Sequence, residues 1–272
     1  MTAARTEAFH RLHAEGCFVL PNPWDVGSAR LLEQLGFSAL ATTSAGLAWS
    51  LGRPDNGVTL DEVLAHLRDI GASVAVPVNA DFEGGFAIEP SAVAANVARA
   101  AATGVAGLSI EDSSGDPAQP LFESALAVER VRAARRAIDE SGTGILLTAR
   151  SEGYLVGRPD LAATIQRLVA FAEAGADCLY APGLGSLDDV RTVVRAVAPR
   201  AVNVLAGSGF ATVAELADAG VRRISVGGAL ARSALTAFLD AAREIADRGT
   251  FTRLAAAVPF ATLNAAFAKP KA

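Results

Sequence analysis

Cysteine and histidine are scarce in this 272-residue chain, and each scarcity removes a class of chemistry. The two cysteines, Cys17 and Cys178, sit in apolar runs that read as strands. Buried thiols rather than a disulfide are expected there, which fits a reducing, cytoplasmic setting. The three histidines, His10, His13 and His66, fall on predicted helices and read as surface or packing residues. No Ser–His–Asp order is visible. Nor is there a block of basic residues in a chain of net charge −5, so nucleic acid is not an expected partner. No apolar run approaches the ~20 residues of a membrane span, and the N-terminal segment lacks the apolar core of a signal peptide. No low-complexity linker divides the chain. One domain over residues 1–272 is expected, with an apolar helical tail from about residue 240.

What is present is apolar and periodic. Hydrophobic residues make up 51% of the chain and charged ones 19%, enough for a large core. Short continuous apolar runs occur at Phe18–Pro21, Ala39–Thr43, Val74–Asn79, Gly107–Glu111, Ile145–Ala149, Cys178–Ala181, Val202–Leu205 and Arg223–Val226. Continuous runs, as opposed to alternating ones, mark parallel strands covered on both faces. Between them lie helical patterns such as Pro90–Ala102 and Asp160–Ala174, with apolar residues three and four apart. Gly36, Gly104, Gly175 and Gly220 each fall just before a strand, where a left-handed C-cap turns the chain back. Eight β-then-α units predict a (β/α)₈ TIM barrel, with a doubly wound sheet as the alternative. In the tail, Phe251, Leu254, Val258, Phe260, Leu263 and Phe267 are too apolar for water and predict packing on the barrel or on another subunit.

Barrel enzymes carry their chemistry at the C-terminal ends of strands. Those ends hold Asn79, Asp81, Glu111 and Asp112, with Arg150 ending the fifth run. Carboxylates on adjacent strands, without cysteine or histidine, suit a hard cation such as Mg²⁺, and an arginine suits a substrate carboxylate. The bland alternative is that Asp81 or Glu111 simply pairs with Arg150 inside the barrel. Gly207-Ser208-Gly209 and Gly227-Gly228 resemble barrel phosphate loops and leave a phosphate-ligand enzyme open as a second possibility.

Asn22-Pro23-Trp24-Asp25, Thr43-Ser44-Ala45-Gly46-Leu47-Ala48, Leu51-Gly52-Arg53-Pro54-Asp55, Val76-Pro77-Val78-Asn79-Ala80-Asp81, Ile110-Glu111-Asp112, Thr148-Ala149-Arg150, Val202-Asn203-Val204 and Arg223-Ile224-Ser225-Val226-Gly227-Gly228 occur in one order. Together they resemble the isocitrate lyase/phosphoenolpyruvate mutase superfamily over roughly residues 18–240. The resemblance implies a Mg²⁺-dependent enzyme acting on a small 2-oxo acid. It implies that Asp81, Asn79 and Glu111 surround the metal. Thr43, Ser44, Ala45, Gly46, Arg150 and Asn203 would hold the substrate, and Asp55, Arg150 and Glu111 would be catalytic. It also implies a homo-oligomer, a dimer or a tetramer, with a C-terminal helix exchanged between subunits.

Three departures qualify that expectation. Asn79 stands where the family usually has the first Asp of Asp-x-Asp. The segment Ser113–Pro120 lacks the Lys, Cys and His of the lyase loop, so isocitrate and methylisocitrate lyase activity of the usual mechanism is not expected. Pro182 stands where lyases carry a glutamate. The expectation is a lyase or hydrolase on oxaloacetate-like or substituted malate-like acids, with a non-catalytic 2-oxo acid binder of the same family as its rival.

Overall fold

The structure, a computed structural model, describes residues 2–268. Residue 1 and residues 269–272, the end of the expected tail, lie outside the described residues. Helix α1 (Thr2–Ala14) precedes strand β1 (Phe18–Leu20), followed by α2 (Val26–Gln34), β2 (Leu40–Ala41), α3 (Ser44–Ser50) and α4 (Leu60–Ser73). Then come β3 (Val78–Asp81), α5 (Pro90–Ala101), β4 (Gly107–Glu111), α6 (Ser124–Ser141), β5 (Leu146–Arg150) and α7 (Leu161–Glu173). After β6 (Cys178–Tyr180) follow α8 (Leu187–Val197), β7 (Ala201–Leu205), α9 (Val213–Asp218), β8 (Arg223–Ser225) and α10 (Ala229–Arg248). A 3₁₀ turn (Thr252–Ala256) and α11 (Phe260–Phe267) end the described chain.

The strands pair in parallel in the order β1-β8-β7-β6-β5-β4-β3-β2, which excludes a doubly wound sheet. The seam between β1 and β2 is stitched by Ala41 N donating to Pro21 O at 3.1 Å and by Asn22 Nδ2 donating to Thr42 O at 2.9 Å. This is the expected (β/α)₈ barrel. Its helices form where caps and apolar stripes agree. In α4, Thr59 and Glu62 make a capping box, and Val63, Leu64, Leu67 and Ile70 bury one face. The four glycines expected to end helices all have left-handed φ, from 87° to 104°.

Several strand boundaries differ from expectation. The third strand begins at Val78, because Val74 caps α4 and Pro77 has no N–H; only the Pro77 carbonyl joins the ladder, accepting from Leu40 N at 2.9 Å. The second strand ends at Ala41, because Thr43 becomes the N-cap of α3, a helix the apolar pattern did not show. Cys17 lies one residue before β1.

The barrel interior is layered by the stagger of the strands. The hydrogen-bonded row that starts at Asp81 at the mouth runs through Ser109, Thr148 and Cys178 to Ala201 in the floor. The row from Glu111 runs through Arg150, Tyr180, Asn203 and Arg223 to Phe18. Both descend toward the floor, an apolar plug of Phe9, Leu20, Ala39, Ala41, Ala106, Leu146, Cys178 and Ala201. Phe9 comes from α1, which closes the bottom of the barrel. Gly107 makes room for it: a Cβ there would lie 2.7 Å from Phe9 Cε1 and 2.9 Å from Asn79 Oδ1.

Candidate active site

A cavity of about 180 Å³ opens at the C-terminal ends of the strands. It is smaller than the roughly 300–1,000 Å³ of drug-sized sites, so it suits a small metabolite. Arg150, at the end of β5, dominates its wall. Its Nη1 lies 2.8 Å from Asp81 Oδ1 and 3.1 Å from Glu111 Oε2; its Nη2 lies 2.9 Å from Glu152 Oε1, and its Nε donates to the same oxygen at 3.0 Å. The Tyr180 ring lies beneath the guanidinium at 5.2 Å. The other Asp81 oxygen, Oδ2, accepts from Ser44 N at 2.9 Å, and Asp81 N donates to Thr42 Oγ1. Asp112 steadies Glu152 by accepting from its backbone N–H at 2.8 Å and pairs with Arg167 at 3.2 Å.

Acid outweighs base here. Burial pushes Glu111 well above the usual carboxylate range; Arg150 opposes the rise, and Glu152, Asp81 and Glu83 add to it. Glu83 is pushed up to about 7 by burial and by Asp81 and Asp55, against Arg150. Glu152 is raised by burial. Burial alone would weaken the hold of Arg150 on its proton, but Glu111, Glu152 and Asp81 reverse that. Tyr180 is pushed up to about 12 by burial and is a protonated phenol at neutral pH.

Deeper in the cavity the chemistry changes sign. Arg223 is 2% exposed. Its Nε donates to Asn203 Oδ1 at 2.8 Å and its Nη1 to Asn79 Oδ1 at 3.4 Å. Asn203 Nδ2 donates to Ser225 Oγ at 2.9 Å, which fixes its amide with the oxygen toward the arginine.

Of the residues expected to bind or react, Thr43, Ser44, Ala45, Asp55, Asn79, Asp81, Arg150 and Asn203 line this cavity. Asp55 is exposed at its rim, on a turn pinned by the Arg53–Glu62 pair. Three placements differ from expectation. Asn79 faces a guanidinium one layer below the mouth, because β3 directs Asn79 and Asp81 inward at successive depths. Gly46 lies behind the wall in the first turn of α3, where a Cβ would meet Thr43 Cγ2 at 2.6 Å and Trp24 Cβ at 2.8 Å. Glu111 backs Arg150 and opens on an adjacent cavity lined by Glu83, Ser113, Ser114 and Arg130.

The segment after β4 is folded back on itself, Ser114 N donating to Pro120 O at 3.0 Å, and is exposed from Gly115 to Gln119. Gly207–Gly209 lies outside the cavity, and the N–H groups of Val226 and Gly227 donate to Asn22 Oδ1 instead of an open anion site. Glu83, Glu152, Tyr180 and Arg223 carried no assigned role in the sequence. The signal available was position: Glu152 lies two residues after Arg150, and Tyr180 and Arg223 lie on strands.

Magnesium takes oxygen from one or two carboxylates and completes its shell with water and substrate. Among the described residues no three His, Cys, Asp or Glu side chains form a ready-made cage. The crowding of Asp81, Glu111 and Glu152 on a single guanidinium, with Glu83 close by, is nevertheless the kind of negative excess that a divalent cation relieves. The donor set fits a hard cation.

A family model described as phosphoenolpyruvate phosphomutase matches residues 9–246. The Mycobacterium tuberculosis H37Rv protein Rv1998c is 35% identical over 269 residues, covering 95% of each chain. Among solved structures, a candidate lyase/mutase from Burkholderia cenocepacia J2315 superposes with a TM-score of 0.96 at 49% identity, covering 99% of this chain and 98% of that one. Oxaloacetate acetylhydrolase, in complex with its product oxalate, superposes with a TM-score of 0.85 at 25% identity, covering 97% and 94%. The chain is therefore a member of the phosphoenolpyruvate phosphomutase family, within the superfamily of lyases and mutases that also holds isocitrate lyase.

Proposed function

We propose that this enzyme is a Mg²⁺-dependent lyase or hydrolase that breaks a C–C bond next to the 2-carbon of a small oxaloacetate-like or substituted malate-like acid. One observation carries the reading: Asp81, Glu111 and Glu152 converge on Arg150 at the wall of a small cavity at the barrel mouth, leaving acidic charge in excess. Asp81 would hold the cation, with Glu111 in support. When bound, the cation supplies a Lewis acid for the substrate's 2-oxygen and carboxylate.

The chain's own groups do the rest. The backbone of Ser44 and Ala45 and the hydroxyls of Thr43 and Ser44 orient the acid. In the lyase direction a carboxylate takes the 2-hydroxyl proton, the oxygen's electron pair becomes the carbonyl, and the C2–C3 bond breaks. The electron pair left on C3 takes a proton from an acid. Asp55 at the rim would exchange protons there. The exposed loop after β4 has no Cys, Lys or His to act as the lyase loop's acid does, which favours activated substrates over isocitrate.

Titration calorimetry with oxalate and pyruvate, with and without MgCl₂, tests the reading. Binding that requires Mg²⁺ and disappears in Asp81→Ala is expected; failure of both acids to bind wild-type protein defeats it. Turnover of oxaloacetate or a 2-methylmalate, abolished by Asp81→Ala, separates an enzyme from a non-catalytic binder.

We also propose a homo-oligomer. Phe238 on α10, Phe251 just after it and Phe260 on α11 are 64%, 63% and 82% exposed, more large apolar surface than a monomer ordinarily leaves in water. Light scattering is expected to give at least twice the chain mass. The two free cysteines support a reducing, cytoplasmic setting for the assembly.

A further inference from the structure

The geometry points to Arg223 as a second anion site at the floor of the cavity, one that holds the far carboxylate of an extended dianionic substrate. This inference rests on the mouth above being the reacting site, and it names the substrate class that fits both ends.

The first argument is charge. A buried cation is costly unless an anion compensates it. Arg150 has three carboxylates. Arg223, as deeply buried, has two amide oxygens, from Asn203 and Asn79, and among the described residues no carboxylate within salt-bridge distance. Its Nη2 has no protein acceptor among them either. The second argument is access. Arg223 lines the same cavity as Asp81 and Arg150, together with Ser225 and Tyr180. The Ser225 hydroxyl oxygen accepts from Asn203 and the hydroxyl also meets the Tyr180 phenol, so the polar groups beside Arg223 form one network at the cavity floor.

The third argument is competition. Nε, Nη1 and Nη2 of Arg150 are all engaged by carboxylates, so it offers no open fork to a substrate without displacing one. Arg223 does. Depth then sets the ligand's shape. In the row from Glu111 to Phe18, Arg223 stands next to the floor and three strands beyond Arg150. With strands ~4.8 Å apart and tilted by ~36°, that puts its backbone roughly 8 Å deeper along the barrel axis. A ligand held at the mouth by its 2-oxo acid end therefore points a second carboxylate downward, toward guanidinium, hydroxyl and phenol.

Matched acids test this: oxaloacetate against 2-oxobutanoate, and 2-oxoglutarate against 2-oxopentanoate, titrated calorimetrically in MgCl₂. Within each pair the chain length is constant and only the distal carboxylate changes. Wild-type protein is expected to prefer the dianion by about 10- to 100-fold, the range for hydrogen bonds to a charged group. R223Q is expected to lose that preference while keeping its affinity for oxalate and 2-oxobutanoate; R223K is expected to keep part of it. Circular dichroism melts establish that both variants fold. No preference in wild type, or a preference that survives R223Q, overturns the assignment.

If oxalate and pyruvate fail to bind wild-type protein, the 2-oxo acid reading fails by itself. The floor site then stands or falls on malonate, which has no oxo group. A thermal shift with malonate that is present in wild type and absent in R223Q upholds it. No shift, or equal shifts, defeats it.

Discussion

The two ends of the barrel interior carry opposite electrostatic imbalances. At the mouth, Asp81, Glu111 and Glu152 share Arg150, and Glu83 is held near neutrality at about 7 by burial and its acidic neighbours. At the floor, Arg223 has amide partners, and His13 packs edge-on against Phe9 and Phe18. Burial and the nearby Arg223 keep that imidazole neutral, with its pKa lowered to about 3. One end has an excess of anions and the other a cation without a carboxylate partner, both enclosed by eight parallel strands whose hydrogen-bonded backbone holds them apart. Under the proposed function a cation above and an anion below would complete them.

The largest expected effect comes from removing the two arginines in turn. Arg150→Met strands three buried carboxylates, so a loss of about 3–5 kcal/mol is expected, along with activity reduced beyond detection. Arg223→Met strands two amide oxygens and removes an uncompensated charge, so its cost is about 1–3 kcal/mol at most. Urea unfolding midpoints compare them directly. Equal costs would mean that the two ends do not differ in the way their partners suggest.

The pH dependence of stability distinguishes the ends by sign. Glu83 has a folded pKa near 7, above the 4.5 of an ordinary glutamate, and Glu111 is raised as well. The folded state keeps protons that the unfolded chain has lost, so stability falls as pH rises from about 5 toward 8. For His13 the folded value near 3 lies below the ordinary 6.5. Here the unfolded chain takes the proton first, so stability falls as pH drops from 6.5 toward 3, by an amount on the order of a few kcal/mol. Thermal melts of metal-free protein across this range should therefore bend down on both sides. Glu111→Gln or added MgCl₂ flattens the alkaline limb alone, and His13→Leu flattens the acid limb alone. A variant that flattens the wrong limb breaks the comparison.

Much of the mouth was legible in the sequence and little of the floor was. Asp81, Glu111 and Arg150 follow apolar runs, and a charge just after a run marks a strand end whatever the phase of the pleat. Within a run the phase is hidden, because strands covered on both faces are apolar throughout. Arg222 and Arg223 are adjacent; one donates to Gly16 O near the surface and the other enters the barrel. Their order cannot be read without the register of β8 on β1 and β7. The same holds for Tyr180, and for Phe9 and His13, whose helix has no strand-like signal and plugs the floor from outside the eight units. Helix α3 was missed for another reason: it is seven residues long, too short for an apolar period, and is set by the Thr43 cap.

The smallest expected effect is the most discriminating, because Asn79 belongs to the mouth by family pattern and to the floor by contact. Asn79→Asp puts a carboxylate at the acceptor position, 3.4 Å from Arg223 Nη1, that Asn79 Oδ1 now fills. If Asn79 serves the metal, the added charge tightens Mg²⁺ by an order of magnitude or more, since divalent affinity follows ligand charge. If it serves Arg223, the new carboxylate pairs with the guanidinium, stability stays within about 1 kcal/mol of wild type, and Mg²⁺ affinity changes less than about threefold. The preference for oxaloacetate over 2-oxobutanoate should then vanish, because the chain now supplies the anion that the substrate brought. Mg²⁺ titrations and the matched-acid titrations on this one variant give opposite answers under the two assignments. The contact geometry favours the second: a side chain with its oxygen turned toward a buried cation is already doing at the floor what the substrate's far carboxylate is expected to complete.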